Sequence, residues 1–316
     1  MRDREAELAG PELTMQTDTL RVLVLPAIGG KIASLQWLPR NLDLLQAPLA
    51  PYSPRTMNMG FEESDASGFD ECLPSVAACD VKTANGVVRV PDHGDFWRLL
   101  WEAEQSGNEI RMAATGVSLP LHFERTLRLA DDTLDIAYRV TNRGDAALDY
   151  AWSAHPLLAV ERGDRVLLPE SVQHVVVEGS AGQRLGAKHS RHAWPRTVTL
   201  AREVVDLSVA GGIEDGIGDK LFAASPAEGW AAVERRNPGL RVAVHFDPKE
   251  SPWLGLWLCY GGWPDGRAHR QQCVAIEPCT APVDSLEEAV AGGWSRRLAP
   301  SQSNEWRMRI RVSRVS

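Results

Sequence analysis

Four stretches of this chain alternate apolar and polar residues with a period of two, and that periodicity fixes the fold class before any motif is read. Phe123, Arg125, Leu127 and Leu129 alternate with Glu124, Thr126 and Arg128, and Leu134, Ile136, Tyr138 and Val140 with Asp135, Ala137, Arg139 and Thr141. Leu240, Val242, Val244 and Phe246 alternate with Arg241, Ala243 and His245, and Trp306, Met308, Ile310 and Val312 with Arg307, Arg309 and Arg311. Successive side chains change face only in a strand, so each stretch reads as a half-buried strand. Turn-forming residues recur between such stretches, at Ala84-Asn-Gly86, Ala130-Asp-Asp132, Asn142-Arg-Gly144 and Gly261-Gly262. One short segment, Ser285 to Val290, reads as a helix, with Glu287 and Glu288 in a first turn behind a Ser/Asp cap. No repeat or linker divides the chain, so residues 1–316 are expected to form a single all-β domain, a large antiparallel sandwich with minimal helix. The irregular stretch from Ala47 to Gly68, rich in Pro, Met, Ser and Gly, is expected to cross one face of that sandwich.

A net charge of −8, with Lys and Arg scattered, argues against nucleic acid and anionic membrane as partners, because both require basic patches. The opening MRDREAELAGPEL carries no apolar segment, so no secretory leader is expected. Nor is there a run of 18 apolar residues to span a bilayer. The five cysteines contain no CxxC pair, which predicts neither a disulfide framework nor a zinc site, but reduced thiols in a cytoplasmic protein. Eleven Trp stand against four Tyr. Most are expected to fill the core, but Trp97, Trp152 and Trp263 fall near the candidate site residues, and indole faces can stack on sugar C–H surfaces.

Two ionisable groups stand in similar settings. His155 in YAWSAHPLLAV and Glu277 in QQCVAIEPCTAP each interrupt an apolar, β-like run and are followed at once by proline. A carboxylate that takes a proton and an imidazole that gives one are the minimum equipment for moving protons on a neutral substrate. A core histidine and a surface glutamate remain the plain alternative. No phosphate-cradling glycine loop or Gly-x-Ser-x-Gly elbow is present, and local spacing gives no support to a metal held by His93, His155 and Glu277, so no metal or other cofactor is expected.

Over most of its length the chain resembles the galactose mutarotase-like (aldose 1-epimerase) superfamily. The segments that carry the resemblance are TLRVLVLPAIGGKIASLQW, GFDECLPSV, PDHGDFWR, SAHPLLAV, GDKLFAA and AIEPCTAPVDSL, in that order. The resemblance implies a β super-sandwich whose concave face holds a monosaccharide. It further implies that Glu277 takes the proton of the anomeric hydroxyl while His155 protonates the ring oxygen, so that the ring opens and recloses as the other anomer. His93 and Asp219 would hold hydroxyls. Beyond the resemblance, the Asp70 and Glu71 carboxylates, which can accept hydrogen bonds from sugar hydroxyls, and the Trp97 indole are further candidates for binding the substrate.

In two places the chain departs from the family pattern. Asp70-Glu71 stands where relatives carry an Asn-Arg pair or an Arg-Gly-Gly loop, and Lys220 stands where a histidine often follows the aspartate. Carboxylates at the sugar would repel a phosphate, so a free, unphosphorylated sugar is expected. A hexose-6-phosphate epimerase and a non-catalytic carbohydrate-binding or sugar-sensing protein on the same scaffold are the alternatives. A glycoside hydrolase would need a carboxylate pair.

Overall fold

The computed structural model describes residues 10–315; the N-terminal residues from which no leader is expected lie largely outside this range. Two large antiparallel sheets face one another across an apolar interior. The larger has 11 strands. Its path runs Leu13–Gln16, Leu20–Leu25, Lys31–Trp37, Phe69–Cys72, Ser153–Ala159, Gln272–Cys279, Trp253–Tyr260, Ile217–Ala224, His174–Ser180 and Arg191–Ala193, with Leu42–Asp43 paired to Lys31–Trp37. The second has eight strands, ordered Arg165–Leu167, Trp230–Arg235, Leu240–Phe246, Ser303–Arg314, Thr133–Asn142, Leu121–Ala130, Glu109–Thr115 and Glu102–Ser106. The helix Leu286–Gly292 forms behind Ser285, whose hydroxyl accepts from the Glu288 amide as an N-cap.

All four alternating stretches fall in the eight-stranded sheet, where Leu127 pairs with Ile136 and Ile136 with Met308. One face of this sheet packs inward and the other meets solvent, which is the condition for strict alternation. The strands at the centre of the larger sheet behave differently. Ser153–Ala159 and Gln272–Cys279 are buried on both faces almost throughout, and their sequences read as apolar runs. One face meets the second sheet, and the other is roofed by long connections, including the expected excursion 47–68.

A buried ion pair bridges the two layers. Glu71, on Phe69–Cys72, accepts 2.9 Å hydrogen bonds from the Arg125 guanidinium, the Tyr138 hydroxyl and the Trp152 indole N–H. Neither charged side chain has solvent access. Around this contact Phe123, Tyr138 and Trp306 stack with ring centroids 5.2–5.9 Å apart, and Trp152 packs at 4.9 Å on Trp306. Burial pushes the Glu71 carboxyl up, and the charge and hydrogen bond of Arg125 oppose that push.

Arg125→Met removes the cation and leaves the carboxylate uncompensated. The expected loss is about 3–5 kcal/mol, read from denaturant unfolding at neutral pH. The double variant Glu71→Gln/Arg125→Met should recover much of it, and a single variant as stable as the wild type would contradict the clamp.

Candidate functional site

Strand register builds the floor of a cleft on the roofed face of the larger sheet. Ser153 pairs with Cys279 and Leu157 with Ala275, which places His155 directly opposite Glu277. Glu277 in turn pairs with Gly255, and Lys220 with Trp257. A Cβ on Gly255 would lie 3.2 Å from both the Glu277 Cβ and the Phe222 ring, so this glycine makes room for the glutamate. Lys220 reaches over the gap to ion-pair with Glu277 Oε2, which also accepts a 3.0 Å hydrogen bond from the Ser153 hydroxyl. Glu277 Oε1 is buried without a hydrogen-bond partner among the described residues and lies 4.0 Å from His155 Nε2. His155 Nδ1 is also buried and unpartnered. A carboxylate and an imidazole, each with an atom unpartnered among the described residues, therefore lie side by side where His155 forms part of the floor.

The side wall is the loop carrying His93. His93 has a φ of +56° and is followed by Gly94 at +71°, two consecutive left-handed residues. A Cβ on Gly94 would lie 2.0 Å from the Leu73 carbonyl oxygen, so glycine is required there. His93 Nδ1 pairs with Asp92 Oδ1 at 2.9 Å, and its ring stacks on Phe61 at 4.1 Å. Phe61 also meets His155 edge-on at 5.5 Å and belongs to the strap 47–68. The strap is held down by charge. Arg55 pairs with Asp65 at 2.5 Å and with Asp70 at 3.4 Å, and Lys31 pairs with Asp65 at 3.1 Å and with Asp70. Two cations and two carboxylates balance with almost no solvent access.

These elements enclose a cleft of about 440 Å³ lined by Phe61, His93, His155, Lys220, Trp257, Trp263, Gln271 and Asp284, with Asp92, Glu62, Gly60 and Val76 at its edges. That volume suits a small polar molecule with apolar faces, since indole and phenyl surfaces alternate with charged groups. Burial, and then the positive charges of His93, Lys220 and Lys31, hold the His155 imidazole well below its ordinary 6.5, so it is neutral at physiological pH. Burial opposes the charge on Lys220, but Asp284 and Glu277 outweigh it and hold the ammonium above the usual lysine range. Burial raises the Asp284 carboxyl, against the pull of Lys220. Burial works against the Asp92 carboxylate too, but the His93 hydrogen bond and charge bring it below its ordinary range.

Of the seven residues singled out from sequence, His155 and His93 line the cleft, and Glu277 lies buried directly behind His155, 4.0 Å from its Nε2, without lining the cleft itself. The other four do not reach the cleft. Asp219 faces away from it, because it is adjacent to Lys220 in one strand and the two must point to opposite faces. Asp219 accepts from the Ser180 hydroxyl at 2.6 Å and pairs with Arg184. Asp70 is consumed by Lys31 and Arg55, and Glu71 by the clamp to the second sheet. Trp97 lies beneath the strap, fully buried between the guanidinium groups of Arg55 and Arg98, 4.6 and 4.4 Å from its ring. Of the other noted tryptophans, Trp152 is core and Trp263 lines the cleft. Sequence reasoning missed Asp284, Trp257, Gln271, Phe61 and the pairing of Asp92 with His93. Lys220 stood out only as a departure from a pattern, and its place in the cleft is the physical content of that departure. Among the described residues, no group of three or more His, Cys, Asp or Glu side chains is placed to hold a metal ion.

No family model matches the sequence, and no curated protein matches it. Solved structures do. A structure described as a putative aldose 1-epimerase from Escherichia coli K12 superposes with a TM-score of 0.68 at 16% identity, over 96% of this chain and 99% of that one. The galactose mutarotase related enzyme of Lactobacillus acidophilus gives 0.69 at 12% identity, over 97% and 98%. An aldose epimerase homologue from C. elegans gives 0.65 at 12% identity, over 98% and 100%. At such identities the likeness speaks to architecture, and it extends from end to end. The chain has the all-β galactose mutarotase-like fold.

Proposed function

We propose that this protein is an aldose 1-epimerase, one domain over residues 1–316 that interconverts the anomers of a free, unphosphorylated sugar. The observation that carries the reading is the opposition of His155 and Glu277 across adjacent strands, with Oε1 unpartnered and 4.0 Å from Nε2 at the cleft floor. Glu277 takes the proton of the anomeric hydroxyl as the C1–ring oxygen bond breaks, and His155 gives a proton to the ring oxygen. On closure from the other face both protons return, so the reaction needs no outside reactant. His155 must be charged before it donates. Burial and the neighbouring cations make that form costly, so donation to the ring oxygen has to draw on the Glu277 carboxylate 4.0 Å from Nε2 as the proton moves. His93, oriented by Asp92, together with Gln271, Asp284 and Lys220, supplies donors and acceptors for hydroxyls, and Trp257 and Trp263 offer ring faces to C–H surfaces.

The choice of an unphosphorylated sugar rests on the cleft itself rather than on Asp70 and Glu71. Its charged lining is Glu62, Asp92 and Asp284 against Lys220 and His93, and Lys220 is already bound to Glu277 and His93 to Asp92. A phosphate would meet more negative than positive charge. The five cysteines are buried and unbridged, which supports a reducing, cytoplasmic setting.

The test is anomer exchange followed by NMR over a panel of free aldoses with glucose 6-phosphate included. At least one free hexose should be accelerated, and each should exceed the phosphate in rate. Glu277→Gln keeps the shape but cannot accept the proton. Exchange should fall about 10²–10⁴-fold, the usual contribution of a positioned base, while sugar affinity changes little. A wild type that binds sugar without accelerating exchange would hand the site to a carbohydrate-binding role.

The neutral state of His155 has a separate consequence. Its proton affinity is lower in the folded than in the unfolded chain, so the unfolded state binds more protons as pH drops below 6.5. Its contribution to stability is therefore complete above pH 6.5 and is lost as pH falls toward the depressed folded value, by up to about 1.4 kcal/mol per pH unit. Unfolding free energies between pH 7.5 and 5 should accordingly fall more steeply for the wild type than for His155→Asn. Equal slopes would contradict the buried neutral imidazole.

A further inference from the structure

The cleft continues into a second one. Lys220, Trp257 and Trp263 line both, and beyond them a groove of about 470 Å³ runs over Gly179, Gly182, Gly216 and Gly218 to Arg270. Its volume is close to that of the first, so a molecule that fills the first leaves an equal space open beside it. At Gly179, Gly182 and Gly216 an added Cβ would meet no atom within 4 Å, so the groove has open space where these residues carry no side chain. Trp257 and Trp263 are only partly buried and stand at the junction, where their faces reach either chamber. The Trp257 indole N–H is fixed by a 2.8 Å hydrogen bond to Gln271 Oε1, which sets that ring in place. Arg270 and Asp265 are exposed at the far rim.

We propose that this groove holds a second sugar ring, so that the protein acts on the reducing end of a disaccharide or longer saccharide in preference to a single hexose. The inference rests on the epimerase reading of the first cleft and extends it to substrate class. The reducing ring occupies the cleft with its free anomeric carbon toward Glu277 and His155. The next ring, joined through a hydroxyl other than that on C1, passes the two indoles and lies in the groove. A pyranose has the complementary surface, with C–H faces for indole and hydroxyls around its edge for Ser180, Asp265 and the Arg270 guanidinium.

The test compares glucose with maltose, cellobiose and lactose, by anomer exchange and by calorimetric binding to the full chain. For at least one disaccharide kcat/KM should exceed that of glucose by about tenfold or more, equivalent to about 1.4 kcal/mol of added contact. Gly179→Trp places a ring in the groove at a position with open space and no left-handed φ. It should abolish the disaccharide advantage and leave glucose within about twofold. Arg270→Ala, at an exposed position that touches only the groove, should weaken the disaccharide alone and guards against misfolding of the first variant. The proposal is overturned if no disaccharide outperforms glucose, or if Gly179→Trp lowers both substrates alike. If no sugar shows accelerated exchange, the epimerase reading fails, and the binding arm still decides the groove: tighter binding of a disaccharide, lost in Gly179→Trp, supports it, and equal binding overturns it.

Discussion

A carboxylate without solvent access has to be compensated, and three such carboxylates organise the centre of the larger sheet. Glu71 is answered by Arg125 from the facing sheet, Asp70 by Lys31 and Arg55, and Glu277 by Lys220. Asp70 and Glu71 are neighbours on one strand and therefore point to opposite faces. One fastens the two layers together, and the other holds the strap that brings Phe61 against both histidines. His155, on the next strand, stands opposite Asp70 and so inherits its position from a segment fixed on both sides. Glu277 differs from the other two in one respect. Its Oε2 is committed to Lys220 and Ser153, while Oε1 has no hydrogen-bond partner among the described residues.

The sheet that could be read from sequence was the one that does not carry the site. Strands such as Thr133–Asn142 alternate because one face meets water, and the alternation gave the fold class directly. The site strands lie between a core and a roof, and a run such as Ala154 to Leu158 gives no parity from which to assign faces. That is why Asp219 was placed in the cleft and Lys220 was not. In Gly218 to Ala224 both Leu221 and Phe222 are apolar and buried, so composition leaves undecided which set looks toward the core. Asp70, Glu71 and Trp97 were misplaced for a related reason: local sequence shows a charge or an indole but not the distant Arg125, Lys31 or Arg55 that claims it. That His155 and Glu277 are buried and need partners was legible, because a lone ionisable group inside an apolar run is costly without a purpose or partner. Asp284 follows the Glu277 strand and pairs through space with Lys220 at 3.6 Å, a contact that no local pattern announces.

Function on this scaffold lies in the cleft rather than in the fold, and the cleft has a definite chemical character. Glu277 and His155 are deeply buried, polar side chains lie around His155, and Trp257 and Trp263 line both the cleft and the neighbouring groove. Lys220 has two roles in this arrangement. It neutralises the Glu277 carboxylate, and by doing so it is withdrawn from any anionic ligand. A histidine there would supply less fixed charge and would leave more of the burden of holding Glu277 to Ser153.

The most direct test is the structure of Glu277→Gln with a free aldose bound, a variant that retains the cleft but cannot turn the sugar over. The account predicts the sugar between Trp257, Trp263 and His93, with its anomeric oxygen within hydrogen-bond distance of the residue 277 side chain and its ring oxygen turned toward His155. A sugar bound with C1 directed away from both residues, or bound outside this cleft, would contradict it.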